Sequence, residues 1–191
     1  MPSRSPGKQR KERRPPRRLD ADHLYEAAVR ALARRSRTRM EMSRLLERRA
    51  AVRADVAAVL ERLGEHGYLD DARLAAHLVS VEKEVSCHGR ARALRDLRAR
   101  GVADTLATAA VARDYAPDDE PALLRAYIRK KRLQPPTDLK TTARLYRKLM
   151  LAGFSTSACQ RALRAWKLDP EWLEMVETEL LEQPEEENPD E

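Results

Sequence analysis

The sequence predicts an all-α protein built from tandem three-helix repeats of the helix-turn-helix type, which together form an elongated, curved body. Three observations support this prediction. Apolar residues recur at helical spacing; Val, Ile, Phe and Tyr never cluster with the alternating polarity of strands; and one pattern of glycine and apolar residues occurs more than once. Only 6 of the 191 residues are glycine and 4% are aromatic, and the abundant Ala, Leu, Arg and Glu favour helix.

Breaks in the apolar pattern divide the chain into about nine short helices. The breaks lie near Ser36, Ala50, Gly67, Gly89, Gly101, Pro117, Pro135, Pro136 and Gly153. Three helices then form each unit, with unit one at residues 20–69, unit two at residues 70–116 and unit three at residues 117–167. Because a bundle of ~50 residues buries too little apolar surface to be stable alone, we expect neighbouring units to pack together.

The repeat is clearest around Gly101 and Gly153, which are 52 residues apart. Apolar residues match at the same distances from the two glycines: Leu97 with Leu149, Val102 with Phe154, and Ala110 with Ala162. Ala50 takes the corresponding place in unit one. Glycine suits the end of a helix because the left-handed C-cap conformation carries no steric penalty there. We therefore expect this residue to close the second helix of each unit.

Both ends of the chain differ from the body in charge. Residues 1–18 carry eight Lys or Arg against one acid, with four prolines, and are predicted to be a disordered basic arm. Residues 169–182 begin with Asp169-Pro170, an N-cap followed by proline, and are predicted to form a C-terminal helix that packs on unit three. Residues 183–191 are predicted to be a disordered acidic tail, which either competes with DNA for the basic body or only improves solubility.

Charge is the most informative feature for function. The net charge is +7 and the isoelectric point is 9.7, which indicates a polyanionic partner, because Lys and Arg that neutralise phosphates release counterions. Basic residues gather at the turn into the second helix of unit one, on the second helices of units two and three, and at the end of the first helix of unit three. The candidate DNA- or filament-binding residues are Arg34, Arg35, Arg37, Arg39, Arg92, Arg95, Arg98, Lys130, Lys131, Arg132, Lys140, Arg144, Arg147 and Lys148.

The second helix of unit three shows the pattern best. Its apolar residues, Tyr146 and Leu149 among them, occupy one arc, while Arg144, Arg147 and Lys148 occupy the opposite arc. An ordinary solvated helix face also carries such charges. The pattern predicts phosphate contacts without base readout, because Asn, Gln and Arg are not arranged for base edges.

Motifs of catalysis or metal binding are absent from the sequence. It contains no phosphate-binding glycine loop, no Gly-x-Ser-x-Gly elbow and no His-Glu-x-x-His helix. Cys87 and His88 are neighbours, and neighbouring residues on a helix point about 100° apart, which argues against a shared site. Asp70-Asp71 stand where a helix N-cap is needed. We therefore expect a protein without enzymatic activity, metal or cofactor.

The sequence also shows no apolar segment of the length that a signal peptide or a membrane span requires. We accordingly expect a cytoplasmic protein.

Four blocks of the sequence resemble the RecX family in order and spacing. They lie at residues 31–42, 67–75, 89–102 and 145–154, and the resemblance covers residues 25–164. Gly67-Tyr68-Leu69-Asp70-Asp71 is the most specific part. Leu74 departs from the aromatic residue usual in the family and should affect packing only. Leu151-Ala152 stand where a basic residue is common, which removes a possible phosphate contact.

The resemblance implies three tandem three-helix repeats and a regulatory function in homologous recombination and the SOS response. It implies binding to RecA protein and to its filament on single-stranded DNA, without sequence preference. It further implies limits on filament growth, with inhibition of ATP hydrolysis, strand exchange and coprotease activity. The sequence leaves open whether the curved basic body lies along the filament groove, caps filament ends or does both, and we expect it to be a monomer.

Two other interpretations remain open from the sequence. A helix-turn-helix transcription regulator would also have three-helix units with basic faces, and it would prefer one DNA sequence and usually form a symmetric dimer. A protein-interaction scaffold, in which the charges only improve solubility, would not bind DNA.

Overall fold

The computed structural model describes residues 18–166, together with residues 171, 172, 175, 176 and 178. The predicted acidic tail, the predicted basic arm up to residue 17 and much of the predicted C-terminal helix lie outside the described residues. Within the described residues the regular elements are helices, and the only β-type pairing is an isolated bridge between Leu19 and Ala50. The predicted all-α fold is therefore confirmed.

Nine α-helices occupy the described residues. The first three are α1 (Ala21–Arg34), α2 (Arg39–Glu47) and α3 (Ala54–Glu65). The next three are α4 (Asp71–Ser80), α5 (Arg90–Ala99) and α6 (Asp104–Asp114). The last three are α7 (Glu120–Lys130), α8 (Leu139–Leu151) and α9 (Thr156–Arg164). A π-helical turn (Val81–Ser86) follows α4, and a 3₁₀ turn (Pro117–Asp119) precedes α7.

Each group of three helices surrounds its own apolar core. The core of α1 to α3 is centred on side chains such as Leu24, Met42 and Leu63, all fully buried. Separate cores are centred on Val79 between α4 and α6, and on Leu149 among α7 to α9. The unit-three core also includes Val176, a fully buried residue of the C-terminal segment.

Side chains at the first residue before a helix explain where several helices begin. Thr38 forms a capping box with Glu41 at the start of α2, and Asp138 forms one with Thr141 at the start of α8. Asp70 accepts a hydrogen bond from the Arg73 backbone N–H, as expected from its position before α4. Such caps satisfy backbone donors that the first helical turn leaves without partners.

The helix ends at Gly101 and Gly153 use the left-handed backbone expected for glycine, with φ of +78° and +90°. Ala50 does not adopt this conformation. In unit one the Leu19 N–H instead donates to the Arg49 carbonyl at 2.7 Å, and the Ala51 N–H donates to the Leu19 carbonyl at 2.8 Å. A short segment ahead of α1 therefore pairs with the end of α2, which removes the need for a glycine there.

The units contact one another through a repeated geometry. The Thr38 hydroxyl donates to the Arg100 carbonyl at 2.7 Å, which joins the start of α2 to the end of α5. The Gly89 N–H donates to the Ala152 carbonyl at 2.8 Å, which joins the start of α5 to the end of α8. In both cases the N-cap of the second helix in one unit binds the C-cap of the second helix in the next. The equivalent carbonyl in unit one, that of Arg49, instead accepts the hydrogen bond from the Leu19 N–H.

Candidate nucleic-acid interface

A basic cleft of about 410 Å³ lies between units two and three. Its lining residues are His88, Arg92, Tyr127, Arg144, Arg147, Lys148, Leu151 and Ala152. We call this site the basic cleft. Four of the lining residues are cations predicted from the sequence, and they come from two different units. The fold therefore assembles a positive site that neither unit forms alone.

Helix α8 supplies three of these cations from one exposed face. Arg144, Arg147 and Lys148 are exposed, while Tyr146 and Leu149 on the opposite side are buried in the unit-three core. The 3.6-residue period of an α-helix brings positions three and four apart to one face. The predicted separation of an apolar arc from a basic arc on this helix is therefore observed.

Close contact between two glycines places Arg92 beside that face. An ideal Cβ on Gly89 would lie 2.2 Å from the Gly153 carbonyl oxygen, and one on Gly153 would lie 2.2 Å from the Arg92 backbone nitrogen. Only glycine at both positions allows the backbones of α5 and α8 to approach this far. The approach sets the width of the basic cleft.

The basic cleft is short of negative charge. Arg92 pairs with Asp96 at 2.9 Å, and no other ion pair in the described part of the chain involves Arg92, Arg144 or Lys148. Arg95, at the edge of the cleft, donates to the Leu151 carbonyl at 2.7 Å. Concentrated positive charge with few internal carboxylates attracts a polyanion.

Aromatic rings form part of the cleft wall. The rings of His88 and Tyr127 lie 5.8 Å apart, and the His88 Nδ1 is within hydrogen-bond distance of Glu82. Burial raises the pKa of the Tyr127 hydroxyl, so this side chain stays neutral across the physiological range. The Lys131 ammonium lies 5.9 Å from the centre of the Tyr127 ring, which extends the positive surface toward the end of α7.

The other predicted cations near the second helices are more dispersed. Arg98 pairs with Asp104 at 2.6 Å, Lys130 donates to the Val85 carbonyl, and Arg132 and Lys140 are exposed. They do not line the basic cleft.

Of the four predicted arginines around α2, Arg37 and Arg39 contact or line a cleft with unit two, while Arg34 and Arg35 lie on unit one. Arg34 ends α1 and is exposed, Arg35 lies 3.8 Å from Glu41, and Arg39 pairs with Glu61. Arg37 is half-buried, and its Nε has no hydrogen-bond partner in the described structure. The predicted cations thus form two main clusters rather than one continuous face.

Sequence reasoning missed several residues of these sites. Tyr127 and His88 line the basic cleft but are not part of a basic run. Arg100 was also missed: it pairs with Glu41 at 3.0 Å across the contact between units one and two. The available signal for Arg100 was its position directly before Gly101, at the end of the second helix.

Within the described ranges, no group of three or more His, Cys, Asp or Glu residues is arranged to hold a metal ion. No helix in the same part of the chain combines the length and hydrophobicity needed to span a membrane.

Comparison with known proteins identifies the family. No family model matches the chain. The chain is 33% identical to the regulatory protein RecX of Leptothrix cholodnii over 141 residues, covering 74% of this chain and 87% of the relative. It is 35% identical to the regulatory protein RecX of Halorhodospira halophila over 153 residues, covering 79% of this chain and 92% of the relative. The chain belongs to the RecX family.

A solved RecX structure has the same fold. The crystal structure of RecX from Lactobacillus salivarius matches with a TM-score of 0.57 and 16% identity, covering 85% of this chain and 97% of that one. At this identity the match supports the fold alone. The family resemblance carried by the sequence blocks is confirmed by the relatives, which are regulatory proteins.

Proposed function

We propose that this RecX-family chain binds RecA and RecA filaments on single-stranded DNA and limits filament growth. It would thereby inhibit ATP hydrolysis, strand exchange and coprotease activity, acting in the cytoplasm as a regulator of homologous recombination and the SOS response. The observation that carries the proposal is the basic cleft, where Arg92 of unit two meets Arg144, Arg147 and Lys148 of unit three.

The chemistry of the basic cleft favours a phosphate backbone. Its charged lining is Lys and Arg with one His, and no Asn or Gln among the described residues lines it to pair with base edges. Cations that replace the counterions of a nucleic acid bind it in a salt-dependent manner that is independent of sequence. This supports contact with DNA at any position along a filament.

Modular construction supports binding to a filament rather than to a single protomer. The two positive clusters lie at successive contacts between units, one around Arg37 and one at the basic cleft. When several weak sites on one rigid body engage a repeating target, each engagement raises the effective concentration of the next. A monomer would suffice for such binding.

The test measures RecA-dependent ATP hydrolysis on single-stranded DNA with substoichiometric amounts of the protein. Inhibition is expected from the wild-type chain. The triple variant R144A/R147A/K148A should need about tenfold or more protein for the same inhibition, and the slope of log affinity against log salt should fall by about 2. The full-length chain is used for both measurements.

A matched control removes the same charge elsewhere. R125A/R161A/R164A takes three exposed arginines from α7 and α9, away from the basic cleft. This variant should inhibit like the wild type. Equal loss in both variants would show that net charge alone matters, and an unchanged R144A/R147A/K148A would remove the cleft from the binding site. An inactive wild type that selects one duplex sequence would favour a helix-turn-helix transcription regulator instead.

A further inference from the structure

A second cleft, of about 610 Å³, lies between units one and two and differs from the basic cleft in holding an exposed aromatic ring. Its lining residues are Val29, Leu32, Ala33, Ser36, Arg37, Gly67, Tyr68, Asp70, Arg73, Leu74 and His77. We call it the Tyr68 cleft. Apolar side chains, a tyrosine and cations meet in this one concave surface.

The backbone holds Tyr68 in a fixed position. Gly67 has φ of +69°, and the Tyr68 N–H donates to the Leu63 carbonyl at 2.9 Å, which is the bonding pattern of a Schellman helix end. Leu63 and Leu69, on either side of the turn, are buried. Tyr68 itself is 49% exposed. A rigid helix end therefore presents the aromatic ring of Tyr68 to solvent.

The ring is also supported from the side. The rings of Tyr68 and His66 lie 6.4 Å apart at a steep angle, and the His66 Nδ1 is 2.6 Å from the Tyr25 hydroxyl oxygen. The Arg62 guanidinium lies 4.2 Å from the centre of the Tyr25 ring. Such packing restricts the rotamers of an exposed side chain, so less entropy is lost when a flat ligand stacks on it.

One cation of the Tyr68 cleft, Arg37, lacks an ion-pair partner among the described residues. Arg37 has a buried Nε without a hydrogen-bond partner in the described structure, and no described carboxylate forms an ion pair with it. Burial lowers its pKa, and neighbouring Arg35, Arg100 and Arg48 lower it further, while Glu41 opposes them. Glu41 is already engaged by Arg100 at 3.0 Å and 3.1 Å. An incoming anion would relieve this repulsion.

The single carboxylate of the lining is already occupied. Asp70 Oδ1 accepts a hydrogen bond from the Arg73 backbone N–H at 2.8 Å, and its Oδ2 lies 4.0 Å from the Arg73 Nε. The rest of the Arg73 guanidinium is exposed, and among the described residues it donates only to the Gly67 carbonyl, at 3.2 Å. Arg73 can thus turn toward a phosphate at little cost.

We propose that the Tyr68 cleft binds one nucleotide of single-stranded DNA, with its base stacked on Tyr68 and its phosphates held by Arg37 and Arg73. The proposal rests on the proposed function, because it names a contact within the DNA binding assigned there. Aromatic rings beside cations form the usual binding surface for unpaired bases, because every base has a flat face that stacks on the ring. A duplex does not fit, since its bases are stacked on one another.

The experiment compares two oligonucleotides of equal length and charge by fluorescence anisotropy: an oligothymidine and its fully abasic analogue. Y68A should weaken binding to oligothymidine by about fivefold or more, and should leave binding to the abasic strand unchanged. Y68F keeps the ring and should bind both strands like the wild type. Y68W should bind oligothymidine with quenching of its added fluorescence, measured against the wild-type chain.

The outcomes separate the two proposals. If the wild type binds neither strand, the DNA-binding function itself fails. If it binds both and Y68A behaves like the wild type, or loses affinity equally for both strands, stacking on Tyr68 is wrong while the basic cleft stands. R144A/R147A/K148A serves as the reference, because it should weaken binding to both strands alike. Thermal unfolding of Y68A checks that the half-exposed substitution leaves the fold intact.

Discussion

The two contacts between units use the same geometry but different chemistry. The first interface joins units one and two through side chains. The Thr38 hydroxyl donates to the Arg100 carbonyl, Glu41 pairs with Arg100, and the Met40 side chain packs against Gly101. At the second interface, formed by residues 89–92 with 152–153, backbone meets backbone. The two interfaces therefore occupy the same position in the repeat, while the chemical groups that make the contact differ.

This difference has consequences for the two clefts. The backbone interface brings α5 and α8 close and leaves their side chains free to line the basic cleft. In the side-chain interface the Glu41 carboxylate pairs with Arg100. Arg37, beside the Tyr68 cleft, therefore has no ion-pair partner among the described residues. The first interface should respond to pH, and the second to backbone substitution.

The largest effect is expected at the second interface. G153A adds a Cβ that would lie 2.2 Å from the Arg92 backbone nitrogen, at a residue with φ of +90°. Neither backbone can move without opening the contact, so the free energy of unfolding should fall by more than about 3 kcal/mol. Urea unfolding followed by circular dichroism measures it.

The control for this variant is G67A. Gly67 has φ of +69° but no atom within 4 Å of an added Cβ, so the substitution adds only backbone strain. The free energy of unfolding should therefore fall by about 1 kcal/mol. Equal losses in G67A and G153A would mean that the glycine contact does not hold units two and three together.

A smaller loss of stability is expected when the hydrogen bonds of the first interface are removed. T38V removes both the hydroxyl donated to the Arg100 carbonyl and the N-cap acceptor for the Glu41 N–H. Thr38 is fully buried, so its loss should lower the free energy of unfolding by about 1–2 kcal/mol. T38S keeps the hydroxyl and should lose much less. If T38V were as stable as the wild type while T38S was destabilised, the methyl group rather than the hydrogen bonds would make the contact.

The ion pair at the first interface should give a pH dependence. Burial alone would raise the pKa of Glu41, but hydrogen bonds from Arg100 and the Thr38 backbone outweigh burial and hold its pKa below the ordinary value of 4.5. The carboxylate therefore stabilises the fold at neutral pH, and this contribution disappears as the pH falls through the lowered pKa. E41Q should be less stable than the wild type by up to about 1 kcal/mol at pH 7.

The difference between E41Q and the wild type should shrink in acid. Urea unfolding of both proteins between pH 7 and pH 3 measures it. A difference that stays constant over this range would show that the amide disturbs packing and that the charge on Glu41 contributes nothing.

Much of this architecture was predictable from local patterns. The helical period separates the basic face of α8 from its apolar face, and the left-handed ends at Gly101 and Gly153 follow from glycine chemistry. The extension of this pattern to Ala50 was only partly right, because the alanine keeps an ordinary backbone and Leu19 pairs beside it. Helices are well predicted from local sequence because each backbone hydrogen bond of a helix joins residues only four positions apart.

Contacts distant in the chain were not predictable in the same way. Arg100 and Glu41 are 59 residues apart, and a single sequence does not show which of many acids a given arginine meets. For this reason the basic runs around residues 34–39 looked like free phosphate ligands, whereas Arg35 and Arg39 face carboxylates. The exposure of Tyr68 beside buried Leu69 likewise depends on the packing of Leu69 against distant residues in the core of unit one.

The smallest effect concerns thiol reactivity and tests whether the two interfaces open independently. Cys159 is fully buried in unit three, and burial, assisted by Glu120, raises its pKa to about 12, so it should not react with a thiol reagent in the native chain. Cys87 is half-buried beside the second interface, with φ of 57°. One thiol per native chain should therefore react, and two after unfolding in urea.

The rate of the Cys87 reaction then reports on the second interface. G153A opens the contact next to Cys87 and should accelerate the reaction, while T38V, acting at the first interface, should leave the rate at the wild-type value. Residual folding of each variant is checked by circular dichroism under the same conditions. Acceleration by both variants would mean that the interfaces open together as one cooperative unit. A repeat protein whose units interact only with their neighbours should instead open locally, at the interface that was changed.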